Sequence, residues 1–306
     1  MRPSANSERK RAASERINAT STQSLQDVSG AIGVVSDSVR SPVGSRLPLR
    51  TMEQQSPFVW HELMVPNPGS APAFYKSITG WSTQPFESDY TLWVNGESPI
   101  GGLAELPKEL VSNGVPPHWL HYVGVEDVDA ATRRAEELGG HVNVPPTDIP
   151  DVGRFAVLAD PQGAVFAIYK SIQNTGAGDS PRIGEFSWHE LGTTNREAAW
   201  HFYSTLFGWR ETSTMDMGDG NLYQMFAANG GEPMGGLYKI SKEMEGMPPN
   251  WMGYVLVPDV DDAVAAVKSG GGQVVTGPME IPGGRVAVFT DPQGAAFAAH
   301  ENTGGD

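Results

Sequence analysis

The stretch PPHWLHYVGVEDVDAA at 116–131 returns as PPNWMGYVLVPDVDDA at 248–263, and GRFAVLADPQGAVFA at 153–167 returns as GRVAVFTDPQGAAFA at 284–298. A chain that writes the same local instructions twice must fold them twice, so this duplication limits the architecture before any single residue is interpreted. WHEL at Trp60–Leu63 recurs at Trp188–Leu191, an offset of 128, and the later matches lie at offsets of 131 to 134. The offset grows across TMDMGDGN, which reads as a longer hairpin in the second copy. Two domains follow, at 57–171 and 185–302. The Gly/Ser/Asn/Pro-rich segment 172–184 between them has the composition of a flexible linker, and 303–306 forms a short tail.

Each copy divides again. FVWHELMV has the length of a strand, and GSAPAFYKSIT then carries apolar residues at helical spacing until Gly80 stops it. YTLWVNGESPIGGLAEL reads as a hairpin turning at Asn95–Gly96. The second half repeats the order: strand WLHYVGV, helix DVDAATRRAEEL ended by Gly139 and Gly140, then three short strands. Asp127 or Asp129 is the expected N-cap of that helix. The unit is therefore βαβββ, twice per domain, and the fold class is α+β with mixed sheets.

Residues 1–56 form an arm rich in Ser and Arg, without sustained period, which is expected to be disordered. Met52 is an alternative start. The arm is basic: residues 1–51 hold eight Lys/Arg and four Asp/Glu, leaving 13 basic and 32 acidic residues for the remainder. An acidic body repels phosphate backbones, which argues against nucleic acid as a partner and favours cationic ligands. The chain has no cysteine, so disulfides, zinc–thiolate sites and thiol nucleophiles are excluded. No apolar run approaches a membrane span, and the early charges lack an apolar segment after them, so the expected location is cytoplasmic, with no membrane partner.

The paired βαβββ units, AFYKSITGW and HFYSTLFGW after a first strand, and DPQGAVF before a last strand resemble the vicinal oxygen chelate superfamily. This is the group of glyoxalase I, bleomycin-resistance proteins and extradiol dioxygenases. The resemblance covers about 57–302 and implies tandem glyoxalase-like domains, each with two modules whose sheet curves into a cup. In metal-using members, His, Gln or Glu side chains from the first and last strands of each module converge on one divalent ion. The resemblance maps those positions here to Trp60, Gly102, Leu120 and Ala167 in the first domain. In the second domain they map to Trp188, Gly236, Met252 and Ala298. None of the eight is an ordinary divalent-metal ligand. No cofactor is therefore expected, and a divalent metal at non-standard positions is the disfavoured alternative.

Side chains alternate across a strand, so the His and Glu of WHEL cannot share one face. With Trp60 inward, Glu62 and Met64 also face the cup, while His61 faces the helix layer as a packing histidine. The same parity puts Trp188 and Glu190 inside and His189 outside. Glu62 and Glu190 are the candidate catalytic residues, as bases with pKa raised by apolar surroundings, or else carboxylates merely hydrogen-bonded in place. Trp60, Met64, Tyr122, Trp188 and Tyr254 are candidate ligand contacts. Arg154 and Arg285 either clamp an anionic ligand or pair with Glu62 and Glu190. Asp160 and Asp291 of DPQG read as turn residues, and Trp119 and Trp251 as packing. His121 has Gly253 as its counterpart, so any role is confined to one domain. The expected function is small-molecule binding in one or both aromatic-floored cups. The alternative is a lyase, hydroxylase or isomerase of the same superfamily using the two glutamates. Each domain contains its own module pair, so a monomer suffices, though a homodimer is compatible.

Overall fold

The computed structural model describes residues 56–86, 90–172, 180–218, 220–228, 231–244 and 246–302. The expected arm (except Ser56), most of the linker and the 303–306 tail lie outside the described residues. The first module runs β1 (Phe58–Val65), α1 (Ala71–Thr79), β2 (Ser82–Phe86), β3 (Tyr90–Asn95) and β4 (Ser98–Glu105), followed by the short α2 (Lys108–Ser112). The second runs β5 (His118–Gly124), α3 (Val128–Glu137), β6 (His141–Ile149), β7 (Gly153–Ala159) and β8 (Val165–Ser171). The second copy gives β9 (Phe186–Thr193), α4 (Arg196–Phe207), β10 (Arg210–Asp216), β11 (Leu222–Ala227) and β12 (Gly235–Lys239). It closes with β13 (Asn250–Leu256), α5 (Val260–Ser269), β14 (Gln273–Ile281), β15 (Gly284–Thr290) and β16 (Ala296–Asn302). The βαβββ reading holds in all four modules.

Each domain is one eight-stranded mixed sheet, ordered β2-β3-β4-β1-β5-β8-β7-β6 and β10-β11-β12-β9-β13-β16-β15-β14. The two module-opening strands meet antiparallel at the centre, with Trp60 opposite Tyr122 and His61 opposite His121. The helix signals act where expected. Gly80 ends α1 in the left-handed region at φ 77°. Asp127, not Asp129, caps α3 by accepting from the Ala130 N–H at 2.9 Å. The hairpin between β3 and β4 turns one residue later than expected, at Gly96 and Glu97, with Asn95 still in the strand and paired with Ser98. No helix among the described residues is long and apolar enough to cross a membrane.

Helices lie on one face of each sheet, and the two helical layers pack together. Helix α1 buries Ala71, Phe74, Tyr75, Ile78 and Thr79, and α4 buries Ala199, Phe202, Tyr203, Leu206 and Phe207, both at one-face spacing. Their partners come from both domains. One core joins Leu63, Phe74, Tyr75 and Trp81 to Val260, Val267, Phe289 and Phe297. The other joins Val128, Ala135, Leu158 and Phe166 to Phe202, Tyr203, Phe207 and Trp209. The contact is close: a Cβ at Gly270 would stand 2.7 Å from Phe74 Cδ2. Over this helix contact lies a surface cleft of about 480 Å³, floored by Phe74, Ala266 and Asp291.

Reciprocal polar links cross the same seam. Tyr75 Oη donates to Asp291 Oδ2 at 3.2 Å, and Tyr203 Oη donates to Asp160 Oδ2 at 3.2 Å. Trp119 Nε1 donates to the first phenol (3.1 Å) and Trp251 Nε1 to the second (2.9 Å). The tyrosine of each FY pair thus binds the DPQG turn of the other domain. Within its turn Asp160 Oδ1 also accepts from the Gln162 and Ala164 N–H groups at 2.8 and 2.9 Å. Asp160→Ala would leave three donors, two of them buried, without their acceptor. We expect a loss of about 3 kcal/mol in urea unfolding, with Asp160→Asn, which keeps an acceptor, losing less. Equal effects of the two substitutions would contradict this account.

Candidate functional site

The open face of each sheet is built by the residues that alternate with the core. In the first domain Leu120, Tyr122 and Ala167 cluster there with Trp60, Phe155, Val157 and Tyr169. In the second, Tyr254, Val286 and Ala298 cluster with Trp188, Met252 and Val288. The parity drawn from WHEL is correct in both: Trp60, Glu62 and Met64 are half-buried on this face while His61, Leu63 and Val65 are buried behind it. Met64 has no second-domain equivalent, because Gly192 stands there, closed over by Tyr238.

Glu62 and Glu190 are the polar centres of the two faces. Tyr122 Oη donates to Glu62 Oε2 at 2.8 Å, and Tyr90 supplies a second phenol hydrogen bond. Trp60 Nε1 in turn donates to Tyr90 Oη at 3.1 Å. The second domain repeats the set. Tyr223 and Tyr254 donate to Glu190 at 3.0 and 2.9 Å, and Trp188 Nε1 donates to Tyr223 Oη at 2.7 Å. Burial raises the pKa of both glutamates, and the phenol hydrogen bonds pull the other way. Burial and the adjacent carboxylate push Tyr122 and Tyr254 well above the ordinary phenol value, so they remain neutral donors. Each cup therefore offers one carboxylate held by two phenols beside an indole. Such a group can accept a hydrogen bond or take up a proton from a molecule resting on the aromatic floor.

Tyr90 and Tyr223 escaped the sequence reading. A Cβ at Gly102 would overlap Tyr90 Oη, and one at Gly236 would overlap the Tyr223 ring. The glycines at these mapped ligand positions therefore make room for phenols reaching over from the neighbouring strand. The detectable signal was YTLW against YQMF, a tyrosine retained in both copies.

Arg154 and Arg285 are not brought to the cups. Phe155 and Val157 take the cup-facing positions of β7, so Arg154 points to the helix side. There its Nε and Nη2 donate to Asp129 at 2.8 and 2.9 Å, and its Nη1 to Asp148 at 2.7 Å. Arg285 likewise pairs with Asp261 at 2.9 Å and Glu280 at 3.3 Å. Neither arginine pairs with Glu62 or Glu190 or clamps an anion in the cup.

Behind the cups, at the seam between the sheets, His61, His121 and His189 converge. Their ring centroids are 5.0 to 5.4 Å apart. His61 Nδ1 and His121 Nδ1 lie 2.9 Å apart, so one must donate and the other accept. Burial lowers the pKa of all three, that of His121 to about 3. The expectation of a satisfied packing histidine needs correction at His189. His121 Nε2 and His189 Nε2 are buried without a hydrogen-bond partner among the described residues. They were read strand by strand, whereas the cluster exists only once two domains close on each other.

Comparison with known proteins agrees with the geometry. Residues 185–298 match the model of the Glyoxalase/Bleomycin resistance protein/Dioxygenase superfamily, and residues 61–169 match that of a glyoxalase-like domain. The chain is 33% identical over 259 residues to a Mycobacterium tuberculosis protein named "Putative glyoxylase CFP32", covering 82% of this chain and 97% of that protein. It is 29% identical to the anthracycline biosynthesis protein DnrV of Streptomyces peucetius, covering 79% of this chain and 92% of that one. The crystal structure of the Mn(II)-bound glyoxalase from Novosphingobium aromaticivorans superposes with a TM-score of 0.59 at 15% identity, covering 81% of this chain and 82% of that one. The last likeness is one of fold. The residues in the cups do not fit a divalent ion at the mapped positions, which hold Trp60, Gly102, Leu120 and Ala167, and Trp188, Gly236, Met252 and Ala298. With two matched domains, a paired βαβββ fold and a relative spanning most of its length, the chain belongs to the glyoxalase/bleomycin resistance/dioxygenase superfamily.

Proposed function

We propose that the chain binds a small, flat, largely apolar organic molecule bearing a hydrogen-bond donor, in one or both cups. Glu62 and Glu190 accept that donor, and the divalent ion of metal-using relatives is not part of the cup. The observation that carries this reading is the repeated Trp–Tyr–Glu–Tyr chain, Trp60–Tyr90–Glu62–Tyr122 and Trp188–Tyr223–Glu190–Tyr254. It fixes one carboxylate on an otherwise aromatic and aliphatic floor, the usual make-up of a small-molecule site. The cups differ, with Phe155 and Tyr169 in the first where Val286 and His300 stand in the second. Their ligand preferences should therefore differ. The name of the Streptomyces relative supports fused-ring molecules as first probes.

A second reading has its own observation. Burial raises the pKa of both glutamates, which suits proton transfer to or from a bound molecule in a lyase or isomerase reaction.

The test is tryptophan-fluorescence titration with a hydroxyanthraquinone on wild type, Glu62→Gln, Glu190→Gln, Trp60→Ala and Trp188→Ala. Loss of a hydrogen bond to a charged acceptor is worth roughly 1.5–3 kcal/mol, so each Gln variant should weaken its own cup by about 10- to 100-fold. Unchanged affinity in all four variants would exclude the cups as the binding site.

A further inference from the structure

We infer that His61, His121 and His189 form a buried tris-imidazole site for one late first-row transition-metal ion of the Zn²⁺ class, at the seam between the two sheets. The site lies on the opposite face of each sheet from Glu62 and Glu190, so it is separate from the cups. It also stands independently of their proposed function.

Four observations carry the inference. One ring nitrogen from each histidine lies within 4.8 Å of those of the other two, although the residues come from three strands and two domains. His121 Nε2 and His189 Nε2 are fully buried polar atoms without a protein partner among the described residues. An unpaired buried group of this kind is costly, and an imidazole lone pair bound to a metal removes the cost. His189 Nδ1 lies 3.4 Å from the Met234 carbonyl, a long contact that favours the proton on Nδ1 and leaves Nε2 bare. The surroundings are apolar: Phe186 packs on His61 at 3.8 Å and Phe58 stacks on His189 at 3.7 Å between ring centroids. No ion pair joins any of the three to a carboxylate among the described residues.

The donor chemistry sets the ion class. Three neutral imidazoles without carboxylate suit zinc or its cobalt substitute rather than calcium or magnesium, which require oxygen. Each neutral imidazole has a single lone pair, and the ion would replace the His61–His121 hydrogen bond, freeing the accepting nitrogen of that pair to bind it. The register shows why a fourth histidine is missing. Gly253 pairs with His189 as His121 pairs with His61, and a Cβ at Gly253 would stand 2.6 Å from His121 Cε1. His121 fills the space of its own counterpart.

The test uses the full chain in two preparations, expressed in zinc-supplemented medium and equilibrated with Co²⁺ after chelation. Wild type should carry one zinc per chain by elemental analysis, and its cobalt form should show visible ligand-field absorption. A hydrogen-bond partner of a ligand is itself worth roughly 10–100-fold in metal affinity, so removing a ligand should cost at least that much. His121→Gly and His189→Phe should each lose the cobalt band and the zinc-dependent rise in Tm, while Glu62→Gln and Glu190→Gln retain both. If one histidine variant fails to fold, the other supplies the comparison, and wild-type metal content stands without either. Wild type free of metal in both preparations would overturn the site, as would metal retained in both histidine variants or lost with the glutamates.

Discussion

Between about pH 6.5 and pH 4 the metal-free chain should lose stability by up to about 4 kcal/mol per pH unit. The cause is the set of three buried histidines. Unfolded, each takes up a proton near the ordinary histidine value. Folded, burial holds His121 at about 3 and keeps His61 and His189 well below that ordinary value. The unfolded state therefore binds more protons throughout this window. Each such group contributes about 1.4 kcal/mol per pH unit, so their stabilisation is complete above pH 6.5 and is lost as pH falls. His118 and His300 are shifted in the same direction. Glu62, Glu190 and Asp160 oppose the trend, because burial raises their folded pKa and stabilises the folded form as they take up protons at the acid end. Urea midpoints measured with chelator at pH 8, 7, 6 and 5 give the slope, and His121→Gly should reduce it by about one third. A flat profile from pH 7 to 5 would mean that these histidines are not buried neutral.

The second large effect concerns the two domains apart from each other. Expressed separately, residues 56–171 and 185–302 should show no cooperative unfolding transition as monomers, and together they should reassemble. The apolar faces of α1 and α5, and of α3 and α4, are buried in cores to which both domains contribute. The seam also carries Trp81 Nε1 donating to Gly184 O at 2.6 Å and Trp209 Nε1 donating to Ser56 O at 2.7 Å. Exposing one large apolar side chain costs about 1.5–3 kcal/mol, and whole domains are stable by only about 5–15 kcal/mol. Separation would strip Phe166 from Phe202, Tyr203 and Phe207, and Phe58 from Trp209, exposing several large rings at once, which is enough to remove the folded state. A sharp thermal transition from either half as a monomer would refute this. Each domain is expected from the sequence to contain its own module pair, so that a monomer of the chain suffices. The pairing is correct, but the core is shared.

What could be read from the sequence depended on whether it was a property of one strand or of the packing between strands. The inward Trp60 and Glu62 follow from the two-residue period of β1 alone, and Gly80 and Asp127 act within their own helices. Arg154 was misplaced because its face depends on the pairing of β7 with β8, where Val157 lies opposite Ala167. Tyr90 was missed because it matters only through the empty space above Gly102, one strand away. The FY tyrosines and DPQG aspartates were visible as motifs, but each partnership crosses from one domain to the other, over 216 residues of chain for Tyr75–Asp291 and 43 for Tyr203–Asp160.

The unequal pair His121 and Gly253 has a further consequence. A second copy of the first domain offered to itself would set one His121 against the other in a space that admits a single ring. Two copies of the second domain would face each other there with no His121 ring between them. The seam thus works as a knob and a hole, specifying unlike halves within one chain and discouraging exchange of like halves between chains.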